Sequence, residues 1–283
     1  MNEILKKHLY YEEPGIIIYN ADCRDILPHL EKVDLVVTSP PYDGLRDYGG
    51  YEFNFEEIAK GLREVMKEGG VIVWVVGDQV IDGSESGTSF KQALYFKEIG
   101  FKLHDTMIYE KNGSPYPEQT RYYQSFEYMF IFSNGVPKTT NLLKDRKNIW
   151  DGSWGKRSIR QKNGELKKFD YIHCEEFGVR FNIWRFSNGF GRTTKDKFAY
   201  IHPAMFPELL ANDHILSWSN SNDIILDPMC GSGTILKMAK LLNRRAIGIE
   251  IEEKYCAIAV KRLQQEVFSF QEKCNLPAGE DFK

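Results

Sequence analysis

DIILDPMCGSGT, residues 223–234, is an apolar run that ends in an acid, a proline and two glycines set two apart. A run with no polar alternation is a strand covered on both faces, the usual condition in a parallel sheet. Gly231 and Gly233 then let the chain turn tightly into ILKMAKLLN (235–243), which has helical periodicity. Strand, glycine turn and helix in that order form a corner of a doubly wound α/β domain. In such domains ligands bind beyond the carboxyl ends of the strands.

The same alternation extends outward. RRAIGIEIE (244–252) reads as the next strand and EKYCAIAVKRLQQE (253–266) as the next helix. Upstream, GIIIYNAD (15–22), VDLVVTSPPY (33–42) and GVIVWVVGD (70–78) read as strands. FNFEEIAKGLREVMKEGG (53–70) and SFKQALYFKEIG (89–100) are helices closed by glycine, a C-cap signal. KLHDTMIYEK (102–111) and EYMFIFSNG (127–135) read as a terminal antiparallel pair, and PAMFPELLANDHILSWS (203–219) as a helix. The expectation is a mostly parallel, seven-stranded Rossmann-like sheet with helices on both faces. Residues 134–200 break the pattern, being basic, aromatic and irregular.

The 283 residues suit one large α/β domain with an insertion. No apolar run approaches the ~20 residues of a membrane span, and the charged start MNEILKKHLYYEEPG is unlike a signal peptide, so a cytoplasmic location is expected. Five widely spaced cysteines with no Cys-x-x-Cys argue against a disulfide framework or a zinc knuckle. HCEE (173–176) lacks distant partner ligands and reads as surface, so no metal is expected. The net charge of −3 hides an asymmetry: residues 138–197 hold 15 Lys/Arg against 7 Asp/Glu. A basic segment on an acidic body is what a phosphate-tracking module needs, although a solvated loop has the same composition.

Glu250 ends the strand after the glycine turn, 19 residues beyond Gly231, the spacing at which an acid commonly binds ribose hydroxyls. Leu236 stands where the dinucleotide fingerprint has its third glycine. That glycine pattern serves a pyrophosphate at a helix N-terminus. A ligand with adenosine but no pyrophosphate, such as S-adenosylmethionine, fits better.

With TSPPY at 38–42 and DPMCGSGT at 227–234, the chain resembles the exocyclic-amino (N4/N6) DNA methyltransferases of the permuted beta group. In that order the catalytic motif comes first, then the recognition region, then the cofactor loop. The resemblance covers about three quarters of the chain and fades across 138–197. It implies a catalytic half at 1–135, a target-recognition insertion at 136–200, a cofactor half at 201–270 and a tail at 271–283. It also implies that Asp227, Pro228 and the loop Gly231, Ser232, Gly233 and Thr234 hold the methionine moiety, and that Glu250 binds the ribose. Asp22, with Cys23 beside it, would face the adenine. Thr38, and His202 and Phe206 of HPAMFP (202–207), would complete the cofactor site.

An exocyclic amino nitrogen is a poor nucleophile because its lone pair is delocalised into the ring. The Ser39 hydroxyl and the Pro40 carbonyl would accept its N–H groups and localise that pair. Pro40 and Pro41 would hold the acceptors rigidly, a form of electrostatic preorganisation. Tyr42 would stack on a base flipped from double-stranded DNA. The run DGLRDYGG (43–50) after it reads as a closing loop or a plain surface turn. Cytosine C5 chemistry is set aside because no cysteine follows a proline. In this family Ser-Pro-Pro-Tyr points to cytosine N4 and Asp-Pro-Pro-Tyr to adenine N6, so Ser39 favours cytosine. Adenine N6, RNA methylation and a catalytically idle nucleotide-binding or DNA-binding module stand as alternatives.

Lys156, Arg157, Arg160, Lys162, Lys167 and Lys168 are the candidate phosphate contacts. Trp150 and Trp154 would stack on DNA or form a small local core. Phe126 or Tyr128, from the late-strand motif QSFEYMFIFSNG (124–135), would wall a base pocket or pack in the core. The sequence is compatible with a separate restriction endonuclease partner and with a monomer or homodimer.

Overall fold

The computed structural model describes residues 2–41, 53–112, 120–154, 157–169 and 172–265. They divide into two compact units, one of residues 2–141 and 182–265, the other of residues 142–181.

The larger unit is built on one sheet whose strands are β1 (Leu9–Glu13), β2 (Ile16–Asn20), β3 (Val33–Thr38), β4 (Met66–Val76), β5 (Lys102–Lys111), β6 (Phe126–Ser133), β7 (Ile183–Phe186), β8 (Ile224–Asp227) and β9 (Arg245–Glu250). Their order is β1-β2-β9-β8-β3-β4-β6-β5-β7. The five strands β2, β9, β8, β3 and β4 pair in parallel. The strands β4, β6 and β5 are successive antiparallel neighbours. The sheet therefore has nine strands rather than seven. β1 adds to β2 as a hairpin across Pro14 and Gly15, and β7 pairs in parallel with β5. The β5/β6 pair is antiparallel as expected but is not terminal, because β7 lies outside it.

The central strands are buried almost end to end. One face is covered by α2 (Cys23–Ile26), α3 (Phe55–Val65) and α4 (Thr88–Glu98). There Phe55, Trp74 and Phe96 form an edge-to-face cluster with Phe132 tilted against Phe96, and the Trp74 Nε1–H donates to Gln92 Oε1 at 2.8 Å. The opposite face carries α5 (Glu208–Trp218), α6 (Thr234–Leu241) and α7 (Glu253–Leu263). His214 of α5 is fully buried there, stacked on Trp184 of β7 with ring centroids 4.6 Å apart.

Leaving β8, the chain runs through α6 to β9 on one side; leaving β3, it runs through α3 to β4 on the other. The boundary between β8 and β3 is thus the point where the winding reverses, and the crevice of a doubly wound sheet opens there. Ile225 and Leu226 pair with Leu35 and Val36, so the motifs that follow Thr38 and Asp227 emerge side by side.

The smaller unit holds three two-stranded antiparallel ladders: Arg146–Lys147 with Phe177–Gly178, Gly152–Trp154 with Ile172–Cys174, and Arg157–Arg160 with Leu166–Phe169. The last is a hairpin closed by Gly164 in the left-handed region. The Asp145–Arg180 ion pair and the Arg146 guanidinium, 4.5 Å over the Phe181 ring, tie the base of this unit. Of the stretch set apart from sequence, residues 136–141 and 182–200 pack with the larger unit, because β7 and the loop after it complete the sheet edge. Tyr42, Lys156, the run 43–50 and the tail 271–283 lie outside the described residues. No helix among the described residues is long and apolar enough to cross a membrane.

Candidate active site

A cleft of about 530 Å³ opens at the carboxyl ends of the central strands. From the β3 side Ser39, Pro40 and Pro41 line it; from the β8 side Asp227, Pro228, Gly231, Ser232 and Thr234; from β9 Glu250; from the β2–α2 corner Asp22 and Cys23; and from the segment before α5 His202 and Phe206. Residues separated by up to 228 positions thus meet in one cavity, within the size range of small-molecule sites.

Two expected site residues stand behind the cleft wall. Thr38 is fully buried, and its Oγ1–H donates to Asp227 Oδ1 at 2.9 Å. It orients the acid rather than lining the cavity. Gly233 (φ +75°) packs on α7, where an added Cβ would come within 2.6 Å of the Ala259 Cβ. Its glycine permits close packing of the loop on that helix.

Asp22 is the N-cap of α2, and its Oδ1 accepts the Arg24 N–H at 2.9 Å. The Arg24 guanidinium also takes both carboxylate oxygens. The acid expected to face an adenine is thus already paired, and Arg24, which sequence reading passed over, sets its orientation. Cys23 is buried, and burial pushes its thiol up to about 12, which makes it inert as a nucleophile.

Glu250 is clamped by backbone. Its Oε2 accepts the Gly231 N–H and its Oε1 the Glu252 N–H, each at 2.8 Å. Burial raises its pKa against those two donors. Each oxygen keeps a second lone pair for a hydroxyl group. Asp227 is pushed up to about 7 by burial, although the Thr38 hydroxyl and the Met229 N–H favour its ionised form.

Gly231 has φ +48°, and an added Cβ would sit 2.6 Å from His202 Nε2. The histidine ring thus closes directly over the glycine turn. It packs edge-on to Tyr255 at 4.4 Å, and its Nδ1 accepts the Ala204 N–H at 3.2 Å. His202 closes a short 3₁₀ turn (Lys197–Ile201) ahead of α5.

Beneath the loop lies an ionic network that the sequence reading missed. The Arg262 side chain is fully buried. Its Nη1 donates to the Ser232 carbonyl (3.0 Å) and to Thr234 Oγ1 (2.8 Å), its Nε to Asp196 (2.8 Å) and its Nη2 to Glu208 (2.7 Å). Lys237 Nζ reaches the same two acids at 2.8 Å. Burial works to raise both carboxyls, but the hydrogen bonds and charges of Lys237 and Arg262 outweigh it, and both lie below the ordinary range. The network fastens the segment carrying His202 and Phe206 to the glycine loop.

The far end of the cleft is lined by Val75, Tyr109, Lys111, Glu127, Asn188, Gly189, Phe190, Thr193 and Tyr200. Phe126 and Tyr128 do not line it. Tyr128 stacks on Phe130 and meets Phe90 of α4, so the packing alternative holds for it. Of the cationic candidates, Arg160, Lys162, Lys167 and Lys168 are exposed on the hairpin of the smaller unit, and Arg157 is a position in its first strand. Trp150 is 67% exposed, which rules out a local core for it.

A family model described as DNA methylase matches residues 33–261. The chain belongs to the DNA methylase family. It is 60% identical over 240 residues to the orphan methyltransferase M.BamHII of Bacillus amyloliquefaciens, covering 83% of this chain and 90% of that one. It is 27% identical to the type II methyltransferase M.ScaI of Streptomyces caespitosus, covering 92% and 85%. Among solved structures the fold matches the PvuII DNA methyltransferase (cytosine-N4-specific) with a TM-score of 0.64 at 20% identity over 91% of this chain and 89% of that one. It also matches a putative DNA modification methylase from Thermus thermophilus complexed with S-adenosyl-L-methionine, with a TM-score of 0.60 at 22% identity over 89% and 95%. The protein is thus a DNA methyltransferase of the N4/N6 group, and its cofactor is S-adenosylmethionine. The cleft fits that cofactor: a glycine cradle that a Cβ would fill, and a buried acid at the end of the next strand.

Proposed function

We propose that the protein transfers a methyl group from S-adenosylmethionine to the exocyclic N4 of a cytosine flipped out of double-stranded DNA. One observation carries this reading: the Ser39–Pro41 corner and the Asp227–Thr234 loop leave adjacent strands at the reversal point and line a single cleft. Such a cleft can hold a donor and an acceptor side by side.

Bound there, S-adenosylmethionine supplies an electrophilic methyl group on a sulfonium sulfur. Glu250 would accept the ribose hydroxyls through its remaining lone pairs. The Gly231–Thr234 turn, closed by His202 and Phe206, would hold the methionine end, with Asp227 beside it. Pro228 would form part of the same wall. Asp22 and Cys23 would border the adenine.

On the acceptor side, Ser39 Oγ and the Pro40 carbonyl would take the two N–H groups of the base amine. That draws the nitrogen towards tetrahedral geometry and frees its lone pair. Pro40 and Pro41 restrict the corner, so little reorganisation accompanies the reaction. Tyr42 would stack on the extruded base. The exposed Arg160, Lys162, Lys167 and Lys168, with Lys156 and Arg157, would hold phosphates along the duplex. The preference for cytosine rests on Ser39.

Incubation with unmethylated duplex DNA and S-adenosylmethionine, then digestion to nucleosides and mass spectrometry, tests this directly. N4-methylcytosine is the expected product. N6-methyladenine would overturn the base assignment and keep the site. No methylated nucleoside, with cofactor binding intact, would overturn the reading.

A further inference from the structure

Lys111 is the only lysine or arginine among the described residues that line the cleft, against four carboxylates: Asp22, Glu127, Asp227 and Glu250. A lone cation on a wall otherwise acidic calls for a partner. Glu127 is one, with its Oε1 3.1 Å from Lys111 Nζ. Both side chains remain partly exposed, at 24% and 20%. An ammonium carries three N–H donors, and Glu127 uses one of them.

The sheet register fixes where this pair stands relative to Ser39. Thr38 pairs with Trp74, so Ser39 is level with Val75, and Val75 pairs with Met129 of β6. Glu127 is two residues nearer the open edge than Met129 and therefore on the same face. Tyr109 lies directly opposite Glu127, and Lys111 follows on the same face of β5. β3 and β6 are two strand spacings apart and Glu127 stands two residues beyond the level of Ser39, so their backbones are roughly 12 Å apart. With side chains reaching in from both walls, that span leaves room for one base between Ser39 and the Lys111–Glu127 pair.

Of the other polar side chains at this end, Asn188 and Tyr109 carry no charge, and Tyr200 and Thr193 are committed to the backbone of the 189–191 turn. The Tyr200 hydroxyl donates to the Gly189 carbonyl and accepts the Gly191 N–H, and Thr193 Oγ1–H donates to the same carbonyl. A cytosine with its N4 amine at Ser39 and Pro40 presents two further acceptors, N3 and O2, along the same edge. An adenine so placed presents N1 and then a C–H, with no acceptor where cytosine has O2.

We infer that Lys111, aimed by Glu127, donates to the O2 edge of the flipped base and so supplies the discrimination of cytosine from adenine. Lys111 is the specificity-determining contact and Glu127 its positioning residue. The inference rests on the cytosine-N4 reading above.

The test uses the full-length protein and a duplex carrying the site located by sequencing the methylated product. The target position holds cytosine or 2-thiocytosine, whose sulfur is a poor acceptor. Wild type should lose about 30-fold in kcat/KM on the thio-substituted duplex, the scale of a hydrogen bond from a charged donor. Lys111→Met should lose about the same factor on the normal duplex and nothing more on the thio duplex, since the two changes remove one contact. Lys111→Arg keeps a cation and should keep the sensitivity to sulfur. S-adenosylmethionine affinity, measured by calorimetry, should be unchanged in both variants, which also shows that they fold.

Losses by Lys111→Met and by sulfur that multiply would overturn the inference, because the contact would then lie elsewhere. So would a Lys111→Met enzyme as active as wild type. Failure of the wild type to methylate cytosine at all is a separate result, which removes the reading beneath it.

Discussion

Thr38 and Asp227 stand 189 positions apart in the chain, yet the Thr38 hydroxyl donates to Asp227 Oδ1 at 2.9 Å. This bond ties the strand that ends in the Ser-Pro-Pro corner to the strand that begins the glycine turn. Both residues are buried at the reversal point of the sheet. One hydroxyl thereby couples the two walls of the cleft.

Removing that hydroxyl should shift a titration. Burial holds Asp227 at about 7, and the Thr38 hydroxyl opposes the rise by favouring the carboxylate. Thr38→Val should therefore raise the Asp227 pKa further. The acid limb of kcat/KM should move to higher pH, which a pH profile under single-site conditions will read. An unshifted limb would mean that Asp227 ionisation does not govern turnover.

Asp227 should also cost the cofactor-free protein stability at neutral pH. Its folded pKa lies above the unfolded value of 3.8, so folded protein binds more protons between pH 3.8 and about 7. Stability from this group is complete below pH 3.8 and is lost as pH rises through 7. Asp227→Asn should be more stable than wild type at pH 8, by on the order of 4 kcal/mol. The advantage should vanish near pH 4. Urea unfolding at the two pH values decides it.

Gly231→Ala should damage cofactor binding as well as folding. The new methyl group would meet His202 Nε2 at 2.6 Å, and φ +48° disfavours a side chain. A loss of about 1–2 kcal/mol in stability is expected from the backbone. Calorimetric affinity for S-adenosylmethionine should fall by more than about tenfold, because a shifted His202 enters the cradle.

Arg262→Met should be the most destabilising of these changes. It leaves buried Asp196 and half-buried Glu208 with Lys237 as their one remaining cation in this network, Glu208 keeping also the Thr194 hydroxyl, and the Ser232 carbonyl without its donor. Breaking a buried ion network by removing one partner costs about 3–5 kcal/mol. Both acids are held below their ordinary range, so their contribution exists above it and fades as pH falls through their folded values. The gap between variant and wild type should narrow in acid, as chemical unfolding will show.

Lys167→Glu with Lys168→Glu should weaken DNA binding without touching the cofactor site. The two side chains are exposed and occupy opposite faces of the hairpin, across from Ile159 and Ser158. If each holds a phosphate, the slope of log K against log salt should fall by about 2 in magnitude. Fluorescence anisotropy across a salt series measures it, and an unchanged slope places the phosphate contacts elsewhere.

Local chemistry made the central strands and their ends legible. A doubly buried run followed by prolines or glycines has few other structures open to it, so VVTSPP and ILDPMCGSG were readable as strand ends, and Glu250 followed from spacing. The residues missed share a different character. Arg262 and Lys237 lie on helices where a charged residue normally reads as solvated, and only the packing of α6, α7 and the Thr193–Glu208 segment buries them against two acids. Lys111 and Glu127 sit at the ends of neighbouring antiparallel strands. Which face meets the cleft depends on β7 and the 188–200 loop covering one side. Asp22 has the expected position, but its Arg24 partner is a matter of side-chain direction at a helix cap.

The sequence alone determined the class of fold, the permuted order of its motifs, the family and the two strand ends where chemistry gathers. These are set by hydrophobic periodicity, proline and glycine geometry, and short spacings, all of which act within a few residues. Tertiary structure decided that the two ends are neighbours, that Thr38 serves Asp227, that Arg262 is buried and that Lys111 is the one Lys or Arg among the described residues lining the cleft. Those outcomes depend on strand order and on which faces are covered, and a contact across 189 positions leaves no trace in local pattern.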